Sequence, residues 1–212
     1  MAVVQVDYNN LVFVNCPFDE EYTPLLHAII YTIYRCGFVP QCALNEDNGT
    51  DFRLDKITRY IQNCRYGIHD ISRIELNHNG LPRFNMPFEL GVFYGAKRFG
   101  QKPQRAKNAL ILERRKYLYQ QYISDLNGVD TKAHNGDPML VIKHVRDWLV
   151  TASGRKYISG YLTLQQEYRE FCEALPAVAI SLQLDPDHLT FNEYCLIAAE
   201  VVSCKGEPQL FT

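Results

Sequence analysis

A chain of 212 residues with 47% apolar and 22% charged residues can bury one good core, or one core with an appendage, which excludes large-scale disorder. The net charge of −2 excludes a general attraction to polyanions, so nucleic-acid or membrane binding would need a local basic patch. Seven cysteines, an odd number without a C-x-x-C pair, fit neither a disulfide framework nor a zinc knuckle. No apolar run approaches bilayer length, and the amino terminus lacks a signal pattern. The expectation is a reduced, soluble, cytoplasmic protein.

The first element, LVFVN from Leu11 to Asn15, is a short apolar run that stops at Cys16-Pro17, as a buried strand would. TPLLHAIIYTIYRCG then sets Leu26, Ile29, Ile30 and Ile33 on one stripe, with Thr23 as N-cap, Pro24 at the first helical position and Gly37 as the stop. VPQCAL is a second strand, and RLDKITRYIQNC a second helix with Leu54, Ile57, Tyr60 and Ile61 in phase. YGIHDIS is a third strand ending in polar residues; the loop RIELNHNGLPRFN leads from it to a helix within RFNMPFELGVFYGAKRFG.

AKRFGQKPQRAKN carries Lys97, Arg98, Lys102, Arg105 and Lys107 without an acid. Gly100 and Pro103 interrupt it and no aromatic platform follows Phe99, so a solvated loop is favoured over a phosphate-binding strip. NALILE is a fourth strand, and DPMLVIKHVRDWLV a helix. Alternating strands and helices predict an α/β domain over residues 1–152, with a mainly parallel sheet and helices on both faces.

From about Ser153 the pattern turns wholly helical, in LTLQQEYREFCEAL and FNEYCLIAAEVVSC, giving a C-terminal helical extension over residues 153–212. The last helix sets Tyr194, Ile197, Ala198 and Val201 on one stripe that needs cover. A second copy of the chain is favoured as that cover, hence a homo-oligomer.

In an open parallel sheet, ligands bind beyond the carboxyl ends of the strands, beside free N–H groups at helix starts. That rule selects Asn15, Cys16, Phe18 and Asp19 after the first strand, His69, Asp70, Ser72 and Arg73 at the third, and Asn85 and Glu89 at the next helix start. Each has a structural alternative. Asp19 can cap the chain entering the first helix, His69 can be a satisfied core imidazole, Asp70 and Ser72 can be turn formers, and Cys16 a small buried hydrophobe. Glu89 stands at the head of an apolar stripe of Val92, Phe93 and Ala96, where a carboxylate costs free energy unless satisfied. With Met86 as N-cap, Glu89 would be the third helical residue and meet backbone donors; with Asn85 as the cap, that geometry fails. No His/Cys/carboxylate cluster has the spacing of a metal site.

The Asn85, Glu89, Leu90, Gly91 pattern, after a strand ending in Asp70, resembles the nucleoside 2-deoxyribosyltransferase-like proteins and the TIR-like nucleotide-binding domains of bacteria. The segments VFVNCPFDEEYTPLLHAI and GIHDISR are similar to the same broad group. The resemblance spans roughly residues 11 to 150 and omits the helical tail; it implies a flavodoxin- or TIR-like sheet. It implies cleavage of an N-glycosidic bond in a nucleoside, a nucleotide or NAD, in bacterial defence or signalling, with no cofactor required. Glu89 then acts at the anomeric carbon, kept ionised at neutral pH by the helix dipole. Asp70 holds the sugar or protonates the base, and Asn15, Phe18, Asp19, Ser72, Arg73 and Asn85 line the pocket. The deoxyribosyltransferases carry a further acid where this chain has Pro82, Arg83 and Phe84, and an arginine there suits a phosphate. The alternative is a nucleotide-binding sensor or assembly module without turnover.

Overall fold

A computed structural model describes residues 7–74 and 82–204. Its sheet has five strands, all parallel, in the order β2-β1-β3-β4-β5. The strands are β1 (Leu11–Asn15), β2 (Val39–Gln41), β3 (Tyr66–Asp70), β4 (Asn108–Glu113) and β5 (Lys132–Ala133). This is an α/β fold with flavodoxin-like strand order. The described residues also form six α-helices: α1 (Thr23–Arg35), α2 (Arg53–Asn63), α3 (Asn85–Phe99), α4 (Pro138–Ser153), α5 (Tyr161–Ser181) and α6 (Phe191–Cys204).

The chain forms two compact units, one from residues 1–22 and 39–137 and the other from residues 23–38 and 138–212. These cuts differ from the single 152/153 boundary read in the sequence, because α1 packs on α4, α5 and α6, and α4 also packs on α5.

In the first unit, side chains alternate across the sheet with the two-residue period of a strand. Phe13 of β1 joins Ile57, Tyr60, Ile61 and Cys64 of the α2 segment and Phe93 of α3 in one core cluster. Ile71, Leu90, Ile111 and Tyr119 form a second. All five residues of β3 are buried, as expected of a central parallel strand. Gly67 is required there: a Cβ would come within 2.7 Å of His69 Nε2 and 2.8 Å of the Phe93 ring. The loop read after the third strand is described only at its ends; residues 75–81 lie outside the described residues.

The basic segment divides. Lys97, Arg98, Lys102 and Arg105 are exposed as expected, but Lys107 is buried. Its ammonium donates to the carbonyls of Ile61 and Cys64 at the end of α2 and lies 4.6 Å from the Phe93 ring centroid. A cation there satisfies carbonyls that a helix C-terminus leaves open, while burial pulls the lysine down to about 8.

In the second unit, α1 ends as its sequence predicts. Gly37 has φ +78, the Phe38 N–H reaches Ile33 O at 3.0 Å and the Gly37 N–H reaches Tyr34 O at 2.8 Å, a Schellman stop. The segment read as ending at Leu175 continues through Pro176 to Ser181, with Ala179 buried beyond the proline. The apolar face of α6, assigned in the sequence to a second copy, is covered within the chain. Tyr194, Ile197 and Ala198 are buried, α6 packs on α1 and α5, and the Tyr194 ring stacks on His27 at 3.7 Å. That argument for an oligomer therefore falls.

Among the described residues, no helix is long and apolar enough to cross a membrane.

Candidate active site

The strand order reverses between β1 and β3, since β2 lies outside β1 while β4 and β5 continue beyond β3. Open parallel sheets bind ligands at the carboxyl side of such a switch point. Asn15 of β1 lies in register with His69 of β3 there, and Asp70 follows at once.

Asn15 is buried and its amide hydrogens are both used. Nδ2 donates to Met86 O at 2.9 Å and lies 3.0 Å from His69 Nδ1. It thus ties the end of β1 to the first turn of α3. His69 is the core imidazole of the structural alternative: fully buried, edge-on to Phe13 and Phe93, and pulled down to about 3 by burial and the Lys107 charge. Accepting from Asn15 places its proton on Nε2, which has no hydrogen-bond partner among the described residues.

The helix carrying Glu89 begins at Asn85, with Phe84 preceding it and no side-chain cap; the Phe88 N–H closes the first turn on Phe84 O at 2.9 Å. Neither Met86 nor Asn85 is the N-cap. Glu89 is then the fifth helical residue, past the backbone donors of the first turn, so capping does not explain it. Its side chain is on the core face with Met86, Leu90 and Phe93, and the residue is only 7% exposed. Among the described residues no hydrogen bond or ion pair reaches its carboxyl group. Burial pushes it up to about 7, opposed by the charge of Arg53. Desolvation works against the ionised form that the helix dipole was expected to hold, since Glu89 lies past the first turn to which that dipole is confined.

Asp70 is the opposite case. It is fully buried, and both oxygens are engaged: Oδ1 accepts the Ser72 N–H at 2.8 Å and Oδ2 accepts the Tyr22 hydroxyl at 2.6 Å. His134 Nε2 lies 3.0 Å from the same Oδ2, although not aligned as a hydrogen bond. The Gly136 N–H donates to His134 Nδ1 at 2.9 Å, which places the proton of the neutral ring on Nε2, facing Asp70. Enclosed in this way, Asp70 is a hub that ties together the segments carrying Tyr22, Ser72 and His134. Ser72, also buried, contributes its backbone to that hub.

Asp19 is partly buried and accepts from Arg73 at 2.7 Å, Arg83 at 3.0 Å and the Tyr22 N–H at 3.2 Å. Burial works to raise its carboxyl group, but the Arg73 bond and charge, the Tyr22 N–H and Arg83 outweigh it and hold the group below its ordinary range. Phe18 is half-buried, and Asn85 is exposed on the first residue of α3.

Cys16 brings the acids together. Burial first, then Cys42, Asp70, Glu89 and Asp19, push its thiol well above the usual range, so all three carboxyl groups lie within electrostatic reach of one buried sulfur. The same shift keeps Cys16 protonated and removes it as a nucleophile.

Tyr22, His134 and Glu113 were not singled out in the sequence. Glu113, buried at the end of β4, accepts from the Thr131 hydroxyl and from the Tyr117 N–H at 3.0 Å. A strand ending in an acid at the sheet's carboxyl edge was the available signal for Glu113; nothing local marked Tyr22 or His134. Among the described residues, no group of three or more His, Cys, Asp or Glu side chains is placed to hold a metal ion. No protein-family model, curated protein or solved structure matches the chain.

Proposed function

We propose that the protein cleaves an N-glycosidic bond in a nucleoside, a nucleotide or NAD, with Glu89 acting at the anomeric carbon. One observation carries this reading: at the switch point of the sheet stands a buried carboxyl group that no described side chain or backbone donor satisfies, with its pKa raised to about 7. Burying such a group without a partner costs stability, and sites of chemistry are where that cost is met.

As the bond from C1′ to the base nitrogen breaks, its electron pair leaves with the base and positive charge grows on the sugar. Ionised Glu89 stabilises that charge or captures it as an ester, which water then cleaves to regenerate the carboxylate. The desolvation that raises the pKa also strengthens the attraction between the carboxylate and the developing cation. Asn15 holds the start of α3 through Met86 O, and the Asp70 hub fixes the loops beside it, so both act by positioning.

The test is incubation of the protein with a pool of nucleosides, nucleotides and NAD, with chromatographic detection of free base. Release by the wild type and none by Glu89→Gln supports the reading, and the base released names the substrate. Retention of an intact ligand without turnover contradicts it and selects a binding protein.

A further inference from the structure

Three guanidinium groups meet at the carboxyl edge of the sheet from three separate connections: Arg73 follows β3, Arg83 precedes α3 and Arg114 follows β4. They face two acids from the segment after β1. Arg73 Nη2 is 2.7 Å from Asp19 Oδ1 and 2.8 Å from Glu21 Oε2, Arg83 Nη1 is 3.0 Å from Asp19 Oδ2, and Arg114 Nη1 is 3.6 Å from Glu21 Oε1. Among the described residues, the cluster sets three guanidinium groups against two carboxylates.

The two acids are not equivalent. Asp19 has 28% of its side chain exposed and both oxygens committed, one of them also to the Tyr22 backbone. Glu21 has 67% exposed and sits at 3.6 Å from Arg114, beyond hydrogen-bond range. Asp19 is therefore the fixed part of the cluster and Glu21 the replaceable one. An exposed carboxylate resting between two guanidinium groups occupies the place that an external oxyanion would take, and the arginine fork matches phosphate oxygens as well as carboxylate oxygens. The cluster adjoins the candidate active site: Tyr22 donates its N–H to Asp19 and its hydroxyl to Asp70, and Arg83 stands two residues before the start of the helix that carries Glu89.

We propose that Arg73, Arg83 and Arg114 form a subsite for a phosphoryl group, which Glu21 vacates as the ligand enters, so that the substrate is a phosphorylated nucleoside. The proposal rests on the N-glycosidic reading for the sugar and base, while the phosphate contact stands on the arginines alone. On the competing account, the cluster only clamps the segments that carry it.

Binding measured by equilibrium dialysis on the full chain carrying Glu89→Gln separates the two, because no turnover is needed. The probes are the four ribonucleoside 5′-monophosphates, their nucleosides, NAD and inorganic phosphate. The expected result is that a monophosphate or NAD binds tighter than the matching nucleoside by about ten- to a hundredfold, the range for charge-assisted contacts. Adding Arg114→Gln or Arg83→Gln should move that ratio toward one, and Glu21→Gln should tighten the phosphorylated ligand by removing its competitor. Tightening by Glu21→Gln is an outcome that a clamp would not give. Equal binding of nucleotide and nucleoside, indifference to all three substitutions in chains that circular dichroism shows to be folded, or retention of inorganic phosphate alone would overturn the proposal. Arginine-dependent nucleotide binding without base release by the wild type would keep the subsite and refute the glycosidase. Base release at equal rates from nucleosides and nucleotides would do the reverse.

Discussion

Two carboxyl groups at the same edge of the sheet, Glu89 and Asp70, are both buried and have opposite surroundings. Asp70 receives a hydroxyl and a backbone N–H and faces an imidazole. Glu89 receives no hydrogen bond from any described residue and is raised to about 7 by burial. A satisfied buried acid holds loops in place; an unsatisfied one is free for a ligand and costs stability until one arrives. The residue that looked most like a ligand contact in the sequence, a polar strand end at an open crevice, belongs to the first kind.

The largest effect should come from Asp70→Ala. From its strand-end position alone, the change would spare stability. The geometry reverses that, because the Tyr22 hydroxyl, the Ser72 N–H and the His134 ring lose their shared acceptor. Chemical denaturation should show a loss of about 3–5 kcal/mol, the range for breaking a buried charged network. A loss under about 1 kcal/mol would erase the contrast between the two acids.

A second effect separates them by pH. The raised pKa means that native Glu89 keeps a proton which the unfolded chain releases between about pH 4.5 and 7. Its favourable contribution is present below 4.5 and is lost as pH rises through 7, where ionising the buried group costs on the order of 2–3 kcal/mol. Glu89→Gln should therefore be more stable than the wild type at pH 8 by up to about that amount, with the difference shrinking as pH falls and vanishing below about pH 4. A variant less stable at pH 8 would mean that the carboxylate has a partner after all.

Tyr22→Phe sharpens the other side. It removes the 2.6 Å bond to Asp70 but leaves the ring, and should cost about 1.5–3 kcal/mol in denaturation, as for hydrogen bonds to charged groups. Of similar or smaller size, Gly67→Ala should cost about 1–3 kcal/mol through overpacking against His69 and Phe93. No loss there would mean that the wall behind Asn15 and α3 yields more easily than its packing indicates.

What was legible in the sequence was periodic. The apolar run of β1, the phased stripes of α1 and α2 and the stop at Gly37 declare themselves because local chemistry dictates them. β5, two residues of Lys and Ala, has no pattern to read and exists only because β4 offers it an edge. The start of α3 was misplaced because no capping side chain marks it. Burial of polar groups was the least legible. Lys107 looked like surface until the carbonyls of α2 came to it, and the Tyr22 partner of Asp70 lies 48 positions away. Glu89 was visible because a carboxylate heading an apolar stripe is a local contradiction. Its raised pKa was not visible, since desolvation is a property of the folded surroundings.

The most direct test of the central claim is the pH dependence of base release for the wild type beside Glu89→Gln. If ionised Glu89 acts at the anomeric carbon, kcat/KM should rise about tenfold per pH unit below 7 and level off above it, following the raised pKa. Glu89→Gln should lose at least about a hundred- to a thousandfold at the plateau, the scale of one preorganised electrostatic contact. Base release by Glu89→Gln at the wild-type rate, or a wild-type profile flat from pH 5 to 8, would contradict the account.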